Sequence, residues 1–125
     1  MANQGNKRVL AIVDDLLFQV KIADAAKRAG LEAQFVKSEE DAVEKAKEKP
    51  LLIILDLNCR SADPIGLIQK LKAAEMARVP LIGFVSHVQG ELKQQAHAAG
   101  MDMVMARSAF SQNLPQILKR HAGSL

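Results

Sequence analysis

The sequence predicts an α/β fold in which five parallel strands form one doubly wound sheet with helices on both faces. The strand-like segments carry continuous aliphatic runs, such as residues 51–55, whereas a strand with one solvated face would alternate apolar and polar residues. Strand-like and helix-like segments also alternate along the chain with short connections. This alternation is typical of parallel strands joined by right-handed crossovers.

The first strand is predicted over residues 8–13, which are β-branched and apolar, and a helix over residues 16–29 follows it. Gly30 supplies the helix stop. The residues expected on the buried face of this helix, from their three- and four-residue spacing, are Leu17, Val20, Ala23 and Ala26 or Ala25. A second strand, residues 31–36, is less apolar and is expected near the sheet edge.

Ser38, followed by three acidic residues, is predicted to cap a second helix that runs to about Lys49. Pro50 ends this helix. Residues 51–58 then form the third strand, which is expected to be buried on both faces because its aliphatic run is unbroken.

Asp63 and Pro64 are a strong helix-start signal, with Asp as the N-cap and Pro at the first helical position. The third helix is predicted to extend to about Ala77. Residues 79–85 form a fourth apolar strand, and Pro80 fits only near its start.

Residues 90–99 are predicted to form a fourth helix that Gly100 ends, and residues 103–106 a short fifth strand. The last helix is predicted over about residues 112–121, with Pro115 in its first turn. Its expected inner side carries Leu114, Ile117, Leu118 and His121.

The first and third strands are the richest in apolar residues, which favours the flavodoxin-like strand order 2-1-3-4-5, where these two are neighbours at the switch point. No linker, repeat or low-complexity segment is found, so residues 1–125 are predicted to form a single domain. The chain is long enough to bury a core of its own.

Composition narrows the possible functions. Hydrophobic residues make up 49% and charged residues 25% of the chain, as in ordinary globular domains. A net charge of +3 without Trp or Tyr argues against nucleic-acid binding. No apolar run is long enough to span a bilayer and no signal-peptide pattern opens the chain, so a cytoplasmic protein is expected. A single cysteine excludes an internal disulfide.

Polar residues follow the predicted strands: Asp14 and Asp15 the first, Asp56 the third, Ser86 the fourth and Arg107 the fifth. Carboxyl ends of parallel strands share one sheet edge, and three carboxylates there would repel one another unless a cation lay among them. Mg²⁺ suits such oxygen ligands, and a carboxylate can itself accept a phosphoryl group. The alternative is that Asp56 only turns the chain after its strand.

These residues resemble the pattern of response regulator receiver domains in two-component signalling, over essentially the whole chain from Lys7 to His121. The resemblance implies metal-binding acids at Asp14 and Asp15, the phosphoacceptor at Asp56, a metal-binding backbone carbonyl at Asn58 and the switch hydroxyl at Ser86. It also implies Mg²⁺ as the cofactor.

The sequence departs from the family pattern in four places. Arg107 stands where the family has a lysine, and its planar guanidinium keeps the charge but not the geometry of an ammonium. Ser108 follows where a cis-proline is usual, the segment after Asp56 is one residue longer than the family pattern, and Val104 replaces a switching aromatic.

The leading hypothesis is therefore a stand-alone receiver domain, a signalling module and not an enzyme, that accepts a phosphoryl group on Asp56 from a histidine kinase or phosphotransfer protein. Its output would be a protein contact through the fourth helix, fifth strand and fifth helix, in a monomer or weak homodimer. The alternative is a pseudo-receiver that acts as a phosphorylation-independent interaction module. A flavin protein or a haloacid-dehalogenase-type phosphatase fits poorly, because the acids after the first strand repel phosphate and lack the Asp-x-Asp spacing.

Overall fold

The computed structural model describes residues 7–58, 63–73, 79–86 and 90–123. Five strands form one sheet in the order β2-β1-β3-β4-β5, with every neighbouring pair parallel, so the predicted fold and strand order are confirmed. The strands are β1 Arg8–Ile12, β2 Glu32–Phe35, β3 Leu52–Asp56, β4 Leu81–Val85 and β5 Met103–Ala106. All five residues of β3 are buried, as the unbroken aliphatic run predicts.

Helices cover the two faces of the sheet and bury one apolar core on each. The helices are α1 Leu16–Arg28, α2 Glu39–Ala46, α3 Pro64–Leu71, α4 Gly90–Ala99 and α5 Arg107–Gly123. Successive strand residues point to opposite faces. Ile54 and Phe84 therefore pack in the core beneath α1 and α5, whereas Ile53 and Leu55 pack beneath α2, α3 and α4.

The predicted glycine stops after α1 and α4 are confirmed. Gly30 has φ 79° and Gly100 has φ 118°, both in the left-handed region that favours glycine. Ser38 caps α2 as predicted, since its side chain accepts a hydrogen bond from the amide of Asp41. Asp63 occupies the N-cap position of α3, but its side chain makes no capping hydrogen bond.

The predicted buried face of α1 is wrong except at Ala26, which is buried as expected. Leu17 and Val20 are 82% and 67% exposed, and the buried side chains are Phe18, Ile22 and Ala26 at four-residue spacing. Both sets have helical periodicity, so spacing alone does not choose between them. The chosen face buries an aromatic ring and an isoleucine, which removes more apolar surface from water than the alternative would.

Two helices end earlier than predicted and one begins earlier. Helix α2 ends at Ala46 and α3 at Leu71. The predicted end of α3, about Ala77, falls among residues 74–78, outside the described ranges. Helix α5 begins at Arg107 with no loop after β5.

Pro115 consequently lies inside α5 and not in its first turn, which corrects the prediction. A proline there removes one backbone hydrogen bond. Phe110, Leu114 and Leu118 are almost completely buried on both sides of Pro115 in the chain, and this continuous packing holds the helix together.

Candidate functional site

The five candidate side chains lie at the carboxyl ends of four strands, on one edge of the sheet. Because β1 pairs with β3, Asp14 and Asp15 follow a strand whose neighbour ends at Asp56. Strands β4 and β5 come next in order, and Ser86 and Arg107 directly follow them. The sheet therefore brings the predicted site residues to one edge, as the strand order requires.

Asp56 is a carboxylate in a buried position. It is 7% exposed and is the single buried charged residue within the described ranges. Burial raises its pKa above the ordinary value, and the negative charges of Asp14 and Asp15 act in the same direction. The amide of Asn58, which donates to Asp56 Oδ1 over 2.9 Å, and the charge of Arg107 oppose this rise only in part. A further positive charge beside Asp56 would therefore stabilise its ionised carboxylate.

Asp15 serves the fold as well as the site. Its Oδ1 accepts hydrogen bonds from the amides of Leu17 and Phe18, at 2.9 and 3.3 Å, and so caps α1. Its Oδ2 forms a salt bridge with Nη2 of Arg107. The hydrogen bond from Phe18, followed by the contact with Arg107, lowers the pKa of Asp15 despite some opposing desolvation.

Arg107 lies over a cluster of phenylalanine rings that sequence reasoning missed. Its Cζ is 4.6 Å from the centroid of the Phe18 ring and 6.0 Å from that of Phe84. Ring centroids of Phe18 and Phe84, and of Phe84 and Phe110, are each 4.8 Å apart. These rings come from α1, β4 and α5, so only the tertiary fold reveals the cluster. A guanidinium over aromatic faces is held by cation–π attraction.

Asn58 connects two strand ends through its side chain. Its Oδ1 accepts a hydrogen bond of 2.6 Å from the backbone amide of Ser86, while Ser86 itself is exposed. The resemblance to receiver domains implied a role only for the backbone carbonyl of Asn58, so this side-chain role was also missed. Cys59, Arg60 and His87 lie outside the described residues.

The donor types at this edge suit a hard divalent cation, because carboxylate oxygens are the ligands that Mg²⁺ prefers. The buried charge of Asp56 and the two neighbouring acids also favour a cation. As the side chains are placed, however, the described residues hold no group of three or more His, Cys, Asp or Glu that could bind a metal ion. With the side chains in these positions, Asp15 forms its salt bridge with Arg107.

No protein-family model matches the sequence, and no curated protein matches it. Solved structures do match. The receiver domain of a sensor histidine kinase from Pseudomonas aeruginosa, which has a magnesium ion in its active site cleft, superposes with a TM-score of 0.78 at 24% identity, covering 93% of this chain and 97% of its own. A response regulator from Hahella chejuensis gives a TM-score of 0.80 at 21% identity, with coverages of 91% and 93%.

The chemotaxis response regulator CheY4 of Vibrio cholerae gives a TM-score of 0.78 at 20% identity, with coverages of 91% and 97%. Superposition over almost the whole length of these chains shows that this protein has the fold of response regulator receiver domains. Within the described residues, no helix is both long and apolar enough to cross a membrane.

Proposed function

We propose that this protein is a receiver domain that accepts a phosphoryl group on Asp56 from a histidine kinase or phosphotransfer protein. The observation that carries the proposal is the buried Asp56 carboxylate at the sheet edge where Asp14, Asp15, Ser86 and Arg107 also lie. The receiver-domain fold supports the same function.

In the proposed transfer, a carboxylate oxygen of Asp56 attacks phosphorus, the bond from phosphorus to the donor imidazole nitrogen breaks, and the imidazole leaves with the electron pair. Mg²⁺ bound by the acids and by the backbone carbonyl of Asn58 would neutralise the phosphoryl oxygens. The hydroxyl of Ser86 and the guanidinium of Arg107 would bind the transferred oxygens.

An exposed apolar patch beside the site is the proposed docking surface for the phosphoryl donor. Leu16, Leu17 and Val20 of α1 are 74%, 82% and 67% exposed, and they lie within the residues 16–20 that follow the acid pair. Exposed aliphatic clusters of this kind mark protein contacts. Because α1 begins directly after Asp15, the patch adjoins the sheet edge to which a donor histidine would bring the phosphoryl group.

The proposed output surface comprises α4, β5 and α5. Met103 on β5 is 39% exposed, and a shallow pocket of about 150 Å³ lies between β5 and α5. The residues that line the pocket are Met103, Met105, Asn113, Gln116, Ile117 and Arg120. Methionine-rich surfaces adapt to apolar partners.

The second candidate is a pseudo-receiver that never carries phosphate, and the salt bridge between Asp15 and Arg107 favours it because that pair occupies an expected metal ligand. Beryllofluoride with Mg²⁺, a phosphoryl mimic, separates the two candidates. We expect amide NMR shifts near Asp56, Ser86 and Arg107 in the wild type and none in Asp56→Asn. An unchanged wild-type spectrum would support the pseudo-receiver.

A further inference from the structure

We propose that Arg107 is a built-in cation that competes with divalent metal for Asp15, so that metal binds only when the salt bridge between these two residues opens. This inference rests on the proposed function, because it concerns the metal that the acidic site would hold. Arg107 would then control metal binding, which a residue that only neutralises the phosphoryl group would not do.

The carboxylate of Asp15 is engaged at both oxygens. Oδ1 accepts the amides of Leu17 and Phe18 at the start of α1, and these bonds fix the orientation of the carboxylate. Oδ2 is the oxygen that contacts Arg107. A metal ion approaching Oδ2 would meet a positive charge already in contact with that atom. The guanidinium and the metal therefore exclude each other electrostatically.

Arg107 is held in this position by more than its charge. The guanidinium lies over the Phe18 ring, 4.6 Å from its centroid, and its side chain is 32% exposed. Metal binding must therefore supply the free energy to break the ion pair and move the guanidinium.

The released guanidinium has a second anion within its electrostatic reach. Arg107 already acts on Asp56, where its positive charge favours the ionised carboxylate. A phosphoryl group on Asp56 would add negative charge there and attract the guanidinium away from Asp15. Metal at Asp15 and phosphoryl at Asp56 would then favour each other, which is reciprocal coupling between the two ligands.

Calorimetric titration with Mg²⁺ of the wild type and Arg107→Ala tests the competition. We expect the variant to bind Mg²⁺ about tenfold more tightly, because a tenfold change matches the loss of one charge-assisted hydrogen-bonded pair. Lys21→Gln is the matched control. Lys21 also carries one positive charge near Phe18, 5.8 Å from the ring centroid, but it donates to Ser111 and should leave the Mg²⁺ affinity unchanged.

A second measurement uses the unaltered protein, which covers the case in which Arg107→Ala does not fold. The side-chain Nε–H NMR signal of Arg107 should shift in parallel with Mg²⁺ saturation of the wild type. A signal that stays fixed while Mg²⁺ binds would overturn the competition.

The outcomes separate this inference from the proposed function. Equal Mg²⁺ affinity in the wild type and Arg107→Ala, with beryllofluoride shifts present, would overturn the competition and leave the phosphoacceptor proposal standing. Tighter binding in both Arg107→Ala and Lys21→Gln would also overturn it, since net charge alone would then explain the gain. Loss of Mg²⁺ binding and of beryllofluoride shifts in every protein would overturn both proposals.

Discussion

Asp56 carries a charge in a place where charge is costly. Its side chain is nearly buried, and its neighbours at the sheet edge include two more acids. Both raise the pKa of Asp56 in the folded protein above its ordinary value. Between the unfolded and folded pKa values the native state holds more protons than the unfolded chain. The free energy of unfolding therefore falls as pH rises through that range.

Replacement of Asp56 by Asn should stabilise the protein at pH 7, because the amide removes the buried charge and keeps a similar shape. We expect a gain of about 1 kcal/mol in the free energy of unfolding, the usual size of a point-substitution effect. The gain should disappear below the ordinary pKa of 3.8, where the wild-type carboxyl is protonated in both states. Urea unfolding at a series of pH values from about 3 to about 8 measures this gain.

The control for this measurement is Asp63→Asn, which removes a charge from an exposed carboxylate that makes no capping hydrogen bond. Its effect should stay within about 0.5 kcal/mol at each pH. A stability gain in Asp56→Asn that persists unchanged at pH 3 would contradict a charge-based origin.

Sequence patterns predicted which residues reach the sheet edge, but not which of them touch. Asp56 and Arg107 were both placed from strand ends, and the fold puts them there. The preference of Arg107 for Asp15 depends on where Phe18 and Phe84 support the guanidinium. That support comes from separate elements of the chain, and local periodicity carries no information about it.

Helix α1 shows that hydrophobic periodicity predicts the existence of a helix better than it predicts which face is buried. The pattern predicted a helix that Gly30 ends, which is confirmed, but it selected the wrong face. Two apolar stripes run along this helix, one of which packs on the sheet while the other faces solvent. Only the packing of Phe18 against Phe84 and Phe110 distinguishes them.

Paired substitutions in α1 test this assignment. Ile22→Ala should lower the free energy of unfolding by about 2–5 kcal/mol, because Ile22 is fully buried and its truncation leaves a cavity. Leu17→Ala should change it by less than about 0.5 kcal/mol, because Leu17 is exposed. Thermal or urea unfolding compares the two variants, and a larger loss in Leu17→Ala would restore the face that the sequence predicted.

The start of α5 was missed for a related reason. The last helix was predicted to begin at about Gln112, with Pro115 in its first turn, and this left Arg107 and Ser108 in a connection. In the structure the helix starts at Arg107, and burial of Phe110 holds the added first turn against the sheet. Tertiary packing here overrides the local signal of a proline.

In the whole molecule, the strands contribute side chains to an apolar core on each face of the sheet. This two-sided burial made the topology predictable. Strands buried on both sides require helices on both sides, and short connections leave few ways to place them. The exposed surfaces of the molecule were not predictable in this way. Leu17 and Val20 were expected in the core, so the predictions did not include an apolar patch beside the acidic edge.

The patch leads to a prediction about phosphotransfer between proteins. Leu17→Ser should slow phosphorylation of Asp56 by a donor kinase or phosphotransfer protein about tenfold or more, because truncation of an interface anchor commonly costs over 1 kcal/mol. Phosphorylation by a small acyl phosphate should stay at the wild-type rate, since that donor needs no docking surface. Equal slowing with both donors would assign Leu17 to the site itself.

The salt bridge between Arg107 and Asp15 joins residues 92 positions apart in the chain. Contacts of such long sequence separation bear the entropy of closing a long loop, so they form only after the intervening strands have assembled. We therefore expect the pair to form late in folding, after β5 has joined β4. Its free energy then acts mainly on the rate of unfolding, so the pair prolongs the lifetime of the native chain.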